Sequence, residues 1–297
     1  MKPDFYSLGI IGFPLEHSVS PYLHKANLNV LGIRGNYRLY EVPPMPDGKE
    51  RIVKILKRLR KKEIAGLNVT IPHKKTVIPF LDTLTSPAKD IGDVNTIYLN
   101  DGWLFGDNTD APGFSSDLEN VMKENGYQWK LDSSNNKHHA LVIGAGGSAC
   151  AVVYALARKG WRVTISARRL KQAQELAHRH LSGDSEAQIS AITLDKSEIN
   201  SLDLQISLIV NTTPIGLWPN IDDSPWPENL NLPKNAIVYD LVYNPSETKL
   251  VKGARAAGLI AVTGLGMLIE QAALAFERWT GIPANRDAMR NAVIDYI

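Results

Sequence analysis

Residues 140–149 are Ala140-Leu141-Val142-Ile143-Gly144-Ala145-Gly146-Gly147-Ser148-Ala149. The apolar run before the glycines predicts a buried strand, and the apolar residues after Ser148 predict a helix. Glycines at such a junction let backbone N–H groups approach a pyrophosphate, and the helix N-terminus adds about half a positive charge. A turn that needs positive φ explains one glycine but not three. The stretch therefore predicts a dinucleotide-binding turn.

The pattern around this turn is βαβ. We expect a strand at Ala140–Ile143, a helix from Ser148 and further elements at these positions: a strand at Arg162–Ser166, a helix to His180, and strands at Leu208–Asn211 and Ala236–Asp240. Strands that alternate with helices indicate a parallel sheet covered by helices. The C-terminal half is therefore predicted to be a Rossmann-type, doubly wound domain.

The N-terminal half alternates short β-rich runs with amphipathic segments. The predicted strands are Leu8–Gly12, Tyr37–Val42, Gly66–Ile71 and Asn95–Leu99. A helix is predicted from Asp110 to about Asn125, followed by a polar surface loop at Asp132–His139. The fold class is therefore α/β, with an N-terminal α/β domain and a C-terminal parallel-sheet domain. The expected boundaries are residues 1–110, joined by C-terminal helices in 265–297, and residues 111–264.

Length and composition agree with this division and exclude several classes of protein. The 297 residues exceed a usual single domain, and 44% of them are hydrophobic. A formal net charge of +2 provides no global field for nucleic acid. The basic run Lys57–Lys62 falls on the solvated face of a helix whose apolar stripe is Ile52, Ile55, Leu56 and Leu59. We therefore expect no nucleic-acid partner.

Membrane association and disulfides are also not expected. Residues Met1–Leu8 lack the pattern of a signal peptide, and the uncharged run Ala140–Ala157 contains the glycine turn, which favours a strand and a buried helix over a membrane span. Cys150 is the only cysteine, so no internal disulfide can form. The expected location is the cytoplasm. No cysteine and histidine cluster has metal-ligand spacing, and the pair His138-His139 is expected in a loop, so no metal is predicted.

The second predicted strand of the C-terminal half indicates which dinucleotide binds. It ends in Ser166-Ala167-Arg168-Arg169, with no acidic residue until Glu175. NAD-binding proteins place a carboxylate here for the ribose 2′-hydroxyl, and a carboxylate would repel a 2′-phosphate. Two guanidiniums instead offer bidentate donors to a phosphate, so NADP is predicted. The alternative is that both arginines are solvated charges that open a helix.

Two polar clusters in the N-terminal half suggest a small-molecule site. In Ser18-Val19-Ser20-Pro21, Ser20 is predicted to be an N-cap and Pro21 the first helical residue. Two hydroxyls at a positive helix end suit a carboxylate, and capping alone does not explain Ser18. In residues 68–74, alternation places Asn68 and Thr70 on one strand face, and Pro72 interrupts the strand before Lys74.

A third cluster contains Asn95 and ends at Asp110, where the long helix begins. Asp110 is either a first-turn helix charge or the partner of Lys74 in an acid/base pair. A helix dipole would lower the pKa of Lys74 and a carboxylate would raise it, and the sequence leaves both open. The histidines His17, His24 and His73 are weaker candidates, because none completes a polar cluster as Lys74 does.

Ordered motifs through nearly the whole chain resemble the shikimate dehydrogenase family. They are Ser18-Val19-Ser20-Pro21, Asn68-Val69-Thr70-Ile71-Pro72-His73-Lys74, Ile91-Gly92-Asp93-Val94-Asn95-Thr96, Gly106 to Asp110, Gly144 to Ala149, Asn211-Thr212-Thr213-Pro214-Ile215-Gly216, Tyr243-Asn244-Pro245, Gly264-Leu265-Gly266-Met267-Leu268 and Gln271-Ala272-Ala273. The resemblance implies reversible, NADPH-dependent reduction of 3-dehydroshikimate to shikimate, a step in aromatic amino-acid biosynthesis.

The resemblance also implies residue roles. Lys74 matches the catalytic lysine, paired with Asp110. The implied ligands of the substrate carboxylate are Ser18, Ser20 and Tyr243, and those of the ring hydroxyls are Asn68, Thr70, Asn95, Asp110 and Gln271. The implied cofactor residues are Gly144, Ala145, Gly146, Gly147, Ser148 and Ala149 at the turn, Arg168 and Arg169 at the 2′-phosphate, and Thr212, Leu241, Gly264 and Met267 beside the nicotinamide.

Three positions depart from the family pattern, and several alternatives stay open. Asp93 replaces a usual alanine, Lys25 a usual asparagine, and Ala167 begins what is usually Asn-Arg-Thr. The alternatives are a quinate/shikimate dehydrogenase that uses NAD, a catalytically silent NADP-sensing protein and, more distantly, a folate-type methylene dehydrogenase. Either a monomer or a homodimer is compatible with the sequence.

Overall fold

A computed structural model of the chain describes residues 3–127, 138–181, 188–202 and 206–296. The chain divides into two compact units, of which unit 1 comprises Met1–Gly113 and Ile269–Tyr296 and unit 2 comprises Phe114–Leu268. Each unit contains one sheet with helices. The predicted α/β fold class is therefore confirmed.

Unit 1 alternates strands and helices along its first segment. Its elements are β1 (Tyr6–Gly12), α1 (Ser20–Val30), β2 (Gly35–Glu41), α2 (Lys49–Arg60), β3 (Gly66–Val69), α3 (His73–Thr76), β4 (Thr83–Leu84), α4 (Ser86–Ile91), β5 (Thr96–Asn100), β6 (Trp103–Asp107) and the first turn of α5 (Asp110–Glu124). They form a six-stranded mixed sheet in the order β2-β1-β3-β5-β6-β4.

The strand directions in this sheet determine where polar side chains meet. Strand β1 pairs in parallel with β2 and β3, whereas β5 is antiparallel to both β3 and β6. Strands β3 and β6 therefore run in the same direction, and their carboxyl ends lie at the same edge of the sheet. The segments that follow them begin with α3 and α5, which carry Lys74 and Asp110.

Local boundaries in unit 1 differ from the sequence predictions in several places. Helix α1 begins at Ser20, and Val19 is the N-cap without a side-chain cap bond, so the predicted N-cap role of Ser20 is wrong. The reason is that Val19 itself has helical φ and ψ, which moves the helix start back by one position. Strand β3 ends at Val69 because the His73 N–H turns back to the Thr70 carbonyl, at 2.8 Å. Strands β4 and β6 were not predicted.

The predicted amphipathic helix is confirmed as α2. Its apolar stripe is buried, and it packs into a core with strand residues such as Leu67 and Ile97. Lys57 and residues 60–62 are exposed on the opposite face. The basic run is therefore the solvated side of a helix that is held by its apolar side.

Unit 2 contains one parallel sheet. Its elements are β7 (His139–Ile143), α6 (Gly147–Arg158), β8 (Arg162–Ala167), α7 (Leu170–Leu181), β9 (Ile189–Thr193), α8 (Lys196–Ser201), β10 (Ile206–Asn211), β11 (Ile237–Asp240), α9 (Lys249–Ala256) and β12 (Ala261–Thr263). The strand order is β12-β11-β10-β7-β8-β9, and every pairing is parallel. The chain order reverses between β7 and β10, which is the position where doubly wound sheets bind ligands. Strands β9 and β12 were not predicted.

The start of β7 corrects one prediction. Residues 132–137 of the predicted surface loop lie outside the described residues, but His139 is buried in β7 and not in a loop. Its Nε2 lies 2.8 Å from the Thr164 hydroxyl on β8, so the strand begins one residue earlier than apolarity alone indicates. The uncharged run that follows forms β7, the glycine turn and α6. In the described part of the chain no helix is long and apolar enough to cross a membrane.

The end of the chain completes unit 1 with α10 (Leu265–Thr280), whose last turns belong to this unit, and α11 (Arg286–Asn291). Phe276 and Trp279 pack against Tyr6 and Leu8 of β1, and the Trp279 indole N–H donates to the Ile97 carbonyl at 3.2 Å. A Cβ on Gly66 would overlap the indole ring. The absence of a side chain at position 66 therefore makes room for Trp279.

Replacing Gly66 with alanine should destabilise unit 1 by about 1–3 kcal/mol, because the added methyl group overpacks the Trp279 contact. The measurement is the free energy of unfolding from chemical denaturation. Gly253→Ala is the control, because a Cβ there meets nothing within 4 Å in α9. Alanine in a helix should stabilise the protein by about 0.5–1 kcal/mol. Equal effects of the two variants would contradict the packing argument.

Candidate active site

Lys74 and Asp110 form the centre of a polar cluster in unit 1. Lys74 Nζ lies 2.6 Å from Asp110 Oδ2, and the two side chains are only 20% and 12% exposed. Lys74 follows β3 and Asp110 follows β6, so the shared direction of these strands explains their meeting. The predicted pairing of the two residues is present in the structure.

Asp110 is held in place by a network that leaves neither carboxylate oxygen unbonded. Its Oδ1 accepts a hydrogen bond from Asn95 Nδ2 at 2.7 Å, and its backbone N–H donates to Asn108 Oδ1 at 3.1 Å. Asn95 Oδ1 in turn accepts from the Thr109 N–H at 2.8 Å. Asp110 is therefore more than a first-turn helix charge, because its side chain is oriented toward Lys74.

The charge state of Lys74 reflects opposing effects. Burial acts to lower the pKa of Lys74, but the charges of Asp110 and Asp93, together with the hydrogen bond to Asp110, outweigh it and raise the pKa above its usual value. The sequence left open whether a helix dipole or a carboxylate determines the pKa shift of Lys74, and the carboxylates do. Lys74 is an ammonium at neutral pH.

Asn68 connects this centre to the start of α1. Asn68 Nδ2 donates to the Asn95 carbonyl at 3.2 Å, and its Oδ1 accepts from the Tyr37 hydroxyl at 2.7 Å. Burial raises the pKa of Tyr37, and a hydrogen bond with Ser20 opposes this rise. Sequence reasoning missed Tyr37, because its contact with Asn68 depends on the pairing of β2 and β3 on either side of β1.

The remaining predicted substrate residues are distributed over both units. Ser18 and Thr70 are half-buried in unit 1. Gln271 lies on α10, where a Cβ on Gly113 would be 2.8 Å from its backbone nitrogen, so it packs beside the start of α5. Tyr243 belongs to unit 2, where burial raises its pKa. Within unit 1 the cluster offers hydroxyl, amide, carboxylate and ammonium groups, which suit a polyhydroxylated small molecule.

The hydrogen bonds described above for Lys74 and Asp110 involve none of the three histidines. His24 is buried with its ring stacked on Tyr37 at 4.4 Å between centroids, and burial lowers its pKa to about 3. His73 Nε2 lies 2.7 Å from the Val42 carbonyl, and His17 is exposed beside Glu16. His24 is therefore a core side chain, His73 makes a structural hydrogen bond, and His17 is a surface side chain.

The glycine turn of unit 2 has the geometry that phosphate binding requires. Gly144 has a φ of +113°, and a Cβ there would overlap the Thr212 hydroxyl. Helix α6 begins at Gly147, and residues 146–148 are exposed at its N-terminus. Ala149 is buried beneath them. A pyrophosphate can therefore approach exposed N–H groups at the positive end of a helix of this length.

Arg168 and Arg169 follow β8, which is the strand next to β7. Residues Ile143 and Ser166 are paired at the ends of these strands, so both arginines lie at the same edge of the sheet as the glycine turn. Both are exposed, and no carboxylate lies between β8 and α7. This arrangement fits a 2′-phosphate better than a free ribose hydroxyl.

The other predicted cofactor residues follow neighbouring strands of the same sheet. Thr212 follows β10 and its hydroxyl donates to the Ile143 carbonyl at 2.7 Å. Leu241 follows β11, and a Cβ on Gly264 would overlap its carbonyl. Met267 is buried in the first turn of α10. The described residues thus place all these positions at the carboxyl edge of unit 2.

Sequence reasoning missed a buried network that orders the segment after β10. Asp240 accepts hydrogen bonds from Asn211 Nδ2 at 2.8 Å and from the Thr248 hydroxyl at 2.7 Å, while Asn211 Oδ1 accepts from the Thr213 hydroxyl at 2.7 Å. Burial raises the pKa of Asp240, and these bonds oppose the rise. The acidic residue at a strand end was the available signal. Among the described residues, no group of three His, Cys, Asp or Glu side chains could hold a metal ion.

Three protein-family models match the chain. They are the shikimate dehydrogenase substrate binding domain at residues 10–97, shikimate / quinate 5-dehydrogenase at residues 128–227, and the shikimate 5'-dehydrogenase C-terminal domain at residues 264–294. The first covers the strands and helices that carry Lys74 and Asn95. The second covers the glycine turn and both arginines.

Curated relatives and solved structures give the same result. The shikimate dehydrogenase (NADP(+)) of Methanopyrus kandleri is 38% identical over 98% of this chain and 95% of its own length. The structure of shikimate 5-dehydrogenase from Thermus thermophilus in complex with NADP(H) and shikimate is 34% identical, with a TM-score of 0.81 over 98% of this chain and 100% of that chain. Quinate dehydrogenase from Corynebacterium glutamicum in complex with NAD is 28% identical, with a TM-score of 0.85 over 98% and 99% of the two chains. With the Lys74–Asp110 pair, the glycine turn and the ordered motifs, these matches establish that the chain belongs to the shikimate dehydrogenase family.

Proposed function

We propose that this protein catalyses the reversible, NADPH-dependent reduction of 3-dehydroshikimate to shikimate, and so serves aromatic amino-acid biosynthesis. The observation that carries the proposal is the largely buried Lys74–Asp110 pair, 2.6 Å apart among the polar side chains of unit 1. Membership of the family and the names of the curated relatives support NADP and shikimate as the ligands.

In this proposal residues 1–110, with the C-terminal helices in residues 265–297, bind the substrate, and residues 111–264 bind NADP. The hydroxyls near the start of α1 and Tyr243 receive the carboxylate, and amide, hydroxyl and carboxylate groups receive the ring hydroxyls. The proposed ligands are Ser18, Ser20 and Tyr243 for the carboxylate, and Asn68, Thr70, Asn95, Asp110 and Gln271 for the ring.

Lys74 is the proposed proton donor. Reduction of a carbonyl adds a hydride to carbon and a proton to oxygen, so an acid must face that oxygen. Lys74 is an ammonium whose proton is available, and Asp110 holds its Nζ in one position. After the transfer, Lys74 regains a proton from solvent. In the oxidation direction the neutral amine accepts the proton from the shikimate hydroxyl.

The turn of unit 2 is proposed to hold NADP through Gly144, Ala145, Gly146, Gly147, Ser148 and Ala149. Arg168 and Arg169 bind the 2′-phosphate, and Thr212, Leu241, Gly264 and Met267 line the nicotinamide. The positive φ of Gly144, the exposed start of α6 and the two exposed guanidiniums support this fit. When bound, NADPH supplies the hydride.

Two alternatives are less well supported. An enzyme that oxidises quinate with NAD is expected to place a carboxylate after β8, where this chain has two arginines. A catalytically silent NADP-binding protein has no need for an oriented ammonium and carboxylate in its substrate unit. For the assembly and location of the enzyme, we propose a monomer or homodimer in the cytoplasm, which agrees with the single buried thiol of Cys150.

Lys74→Ala should reduce kcat for shikimate oxidation by about 10²–10⁴-fold, the usual contribution of a positioned proton-transfer group, with a much smaller change in KM. Steady-state kinetics monitored by NADPH absorbance measure both. Lys75→Ala is the matched control, because Lys75 is the exposed neighbour on α3. A Lys74→Ala enzyme with unchanged kcat would remove Lys74 from the reaction.

Arg168→Ala and Arg169→Ala should raise KM for NADP+ by about tenfold to a hundredfold, since a charge-assisted hydrogen bond contributes roughly 1.5–3 kcal/mol. KM for NAD+, which lacks the 2′-phosphate, should change little. Lys171→Ala removes an exposed cation from the same segment and serves as the control. If a variant that carries both substitutions kept its preference for NADP+ over NAD+, the 2′-phosphate would have to be recognised by other residues.

A further inference from the structure

Asp93 lies between α4 and β5, and its backbone N–H and carbonyl are both hydrogen-bonded. Its N–H donates to the Ala88 carbonyl at 3.3 Å, and its carbonyl accepts from Asn108 Nδ2 at 3.1 Å. The next residue, Val94, donates its N–H to the carbonyl of Lys74 at 2.9 Å. The backbone of Asp93 is therefore tied to the backbone of Lys74 and to the segment that leads into Asp110.

The side chain of Asp93 is buried and incompletely bonded. The residue is 3% exposed, and its Oδ1 is a buried oxygen without a hydrogen-bond partner among the described residues. A buried carboxylate without its full set of hydrogen bonds is costly, and a nearby cation offsets part of that cost.

The charged groups that act on Asp93 belong to two helices. They are Lys74 and Lys75 of α3, which favour its ionised form, and Asp110 of α5, which disfavours it. Lys75 is exposed and screened by solvent, whereas Lys74 is largely buried. Burial raises the pKa of Asp93 and Lys74 opposes this effect. The same interaction, seen from the other partner, contributes to the raised pKa of Lys74.

We propose that Asp93 is a positioning residue that keeps Lys74 in its ammonium form, as a second anion beside the Lys74–Asp110 pair. The inference rests on the proposed role of Lys74 in proton transfer. When Lys74 loses its proton, a neutral amine is left facing two buried carboxylates. The field of both carboxylates then favours the recapture of a proton, and oxidation of the alcohol, which needs the neutral amine, requires a higher pH.

The first test is the pH profile of kcat/KM for shikimate oxidation at saturating NADP+. In the wild-type enzyme the rate rises with pH as Lys74 is deprotonated. In Asp93→Asn, which keeps the shape and removes the charge, the rising limb should move to lower pH by about one pH unit, the effect of one nearby charge. Asp93→Ala should move it in the same direction, which protects the test against a poorly folded asparagine variant.

The control is Asp90→Asn, because Asp90 is an exposed carboxylate on α4. Asp90→Asn removes a carboxylate charge close to Asp93 in the sequence, and the rising limb of the kcat/KM profile should not shift in pH. A purely structural role of Asp93 would lower the rate at every pH without displacing the limb. That outcome would overturn the proposal.

A second measurement does not depend on activity. Lysines carrying ¹³C at Cε are titrated by NMR, and the Lys74 signal is assigned by its loss in Lys74→Arg. In Asp93→Asn the Lys74 signal should titrate at lower pH than in the wild-type protein, and an unchanged titration would overturn the proposal. If the Lys74 titration moves in Asp93→Asn but the pH profile of kcat/KM does not, Asp93 still stabilises the ammonium form of Lys74. In that case Lys74 is not the group that transfers the proton. Failure of the proposal for Asp93 is thus distinguishable from failure of the proposed role of Lys74.

Discussion

The pairing of one ammonium with one carboxylate, both largely shielded from solvent, constrains how unit 1 can fold. Removing either partner from such a pair leaves an uncompensated charge, which costs about 3–5 kcal/mol when the site is fully buried. Because Lys74 and Asp110 are 20% and 12% exposed, the cost of removing one partner is smaller here. The fold must nevertheless bring the two side chains together. Strand β5 achieves this, since β3 and β6 are both antiparallel to it and end at the same edge. Asn95, which immediately precedes β5, then holds the Asp110 carboxylate through a hydrogen bond to Oδ1.

Unit 2 meets a related requirement with simpler topology. All its strands are parallel, so the segments that follow β7, β8, β10, β11 and β12 emerge at one edge. The glycine turn, the two arginines and Thr212 lie at this edge. The buried Asp240, Asn211 and Thr213 network gives the segment after β10 a defined shape. In both units the ends of strands determine which side chains meet, whereas the strands themselves supply the core.

The sequence predicted those features that depend on local pattern. The glycine turn, the apolar stripe of α2 and the polar residues at strand ends can each be recognised within a short window. It failed where a property depends on a partner that is distant in the chain. The Tyr37 contact with Asn68 requires knowledge of strand order, the strand start at His139 requires the hydrogen bond to Thr164, and the pKa of Lys74 requires the positions of Asp93 and Asp110. Strands β9 and β12 are short strands at the two edges of their sheet. They are recognised as strands by their pairing with β8 and β11, because their composition alone does not indicate a strand.

The discontinuity of unit 1 has a consequence for the order of events during synthesis. Trp279 packs against Gly66 and β1, and the Asn285 N–H donates to Asn27 Oδ1 at 2.8 Å, so the first segment of unit 1 needs residues 269–296 to complete its packing. Residues 114–268 of unit 2 form one continuous segment, which is synthesised before residues 269–296. Domains usually mature in the order in which they are translated. Residues 114–268 are therefore available to fold first, and the N-terminal segment of unit 1 keeps its α10-facing apolar surface uncovered until residues 269–296 have been synthesised.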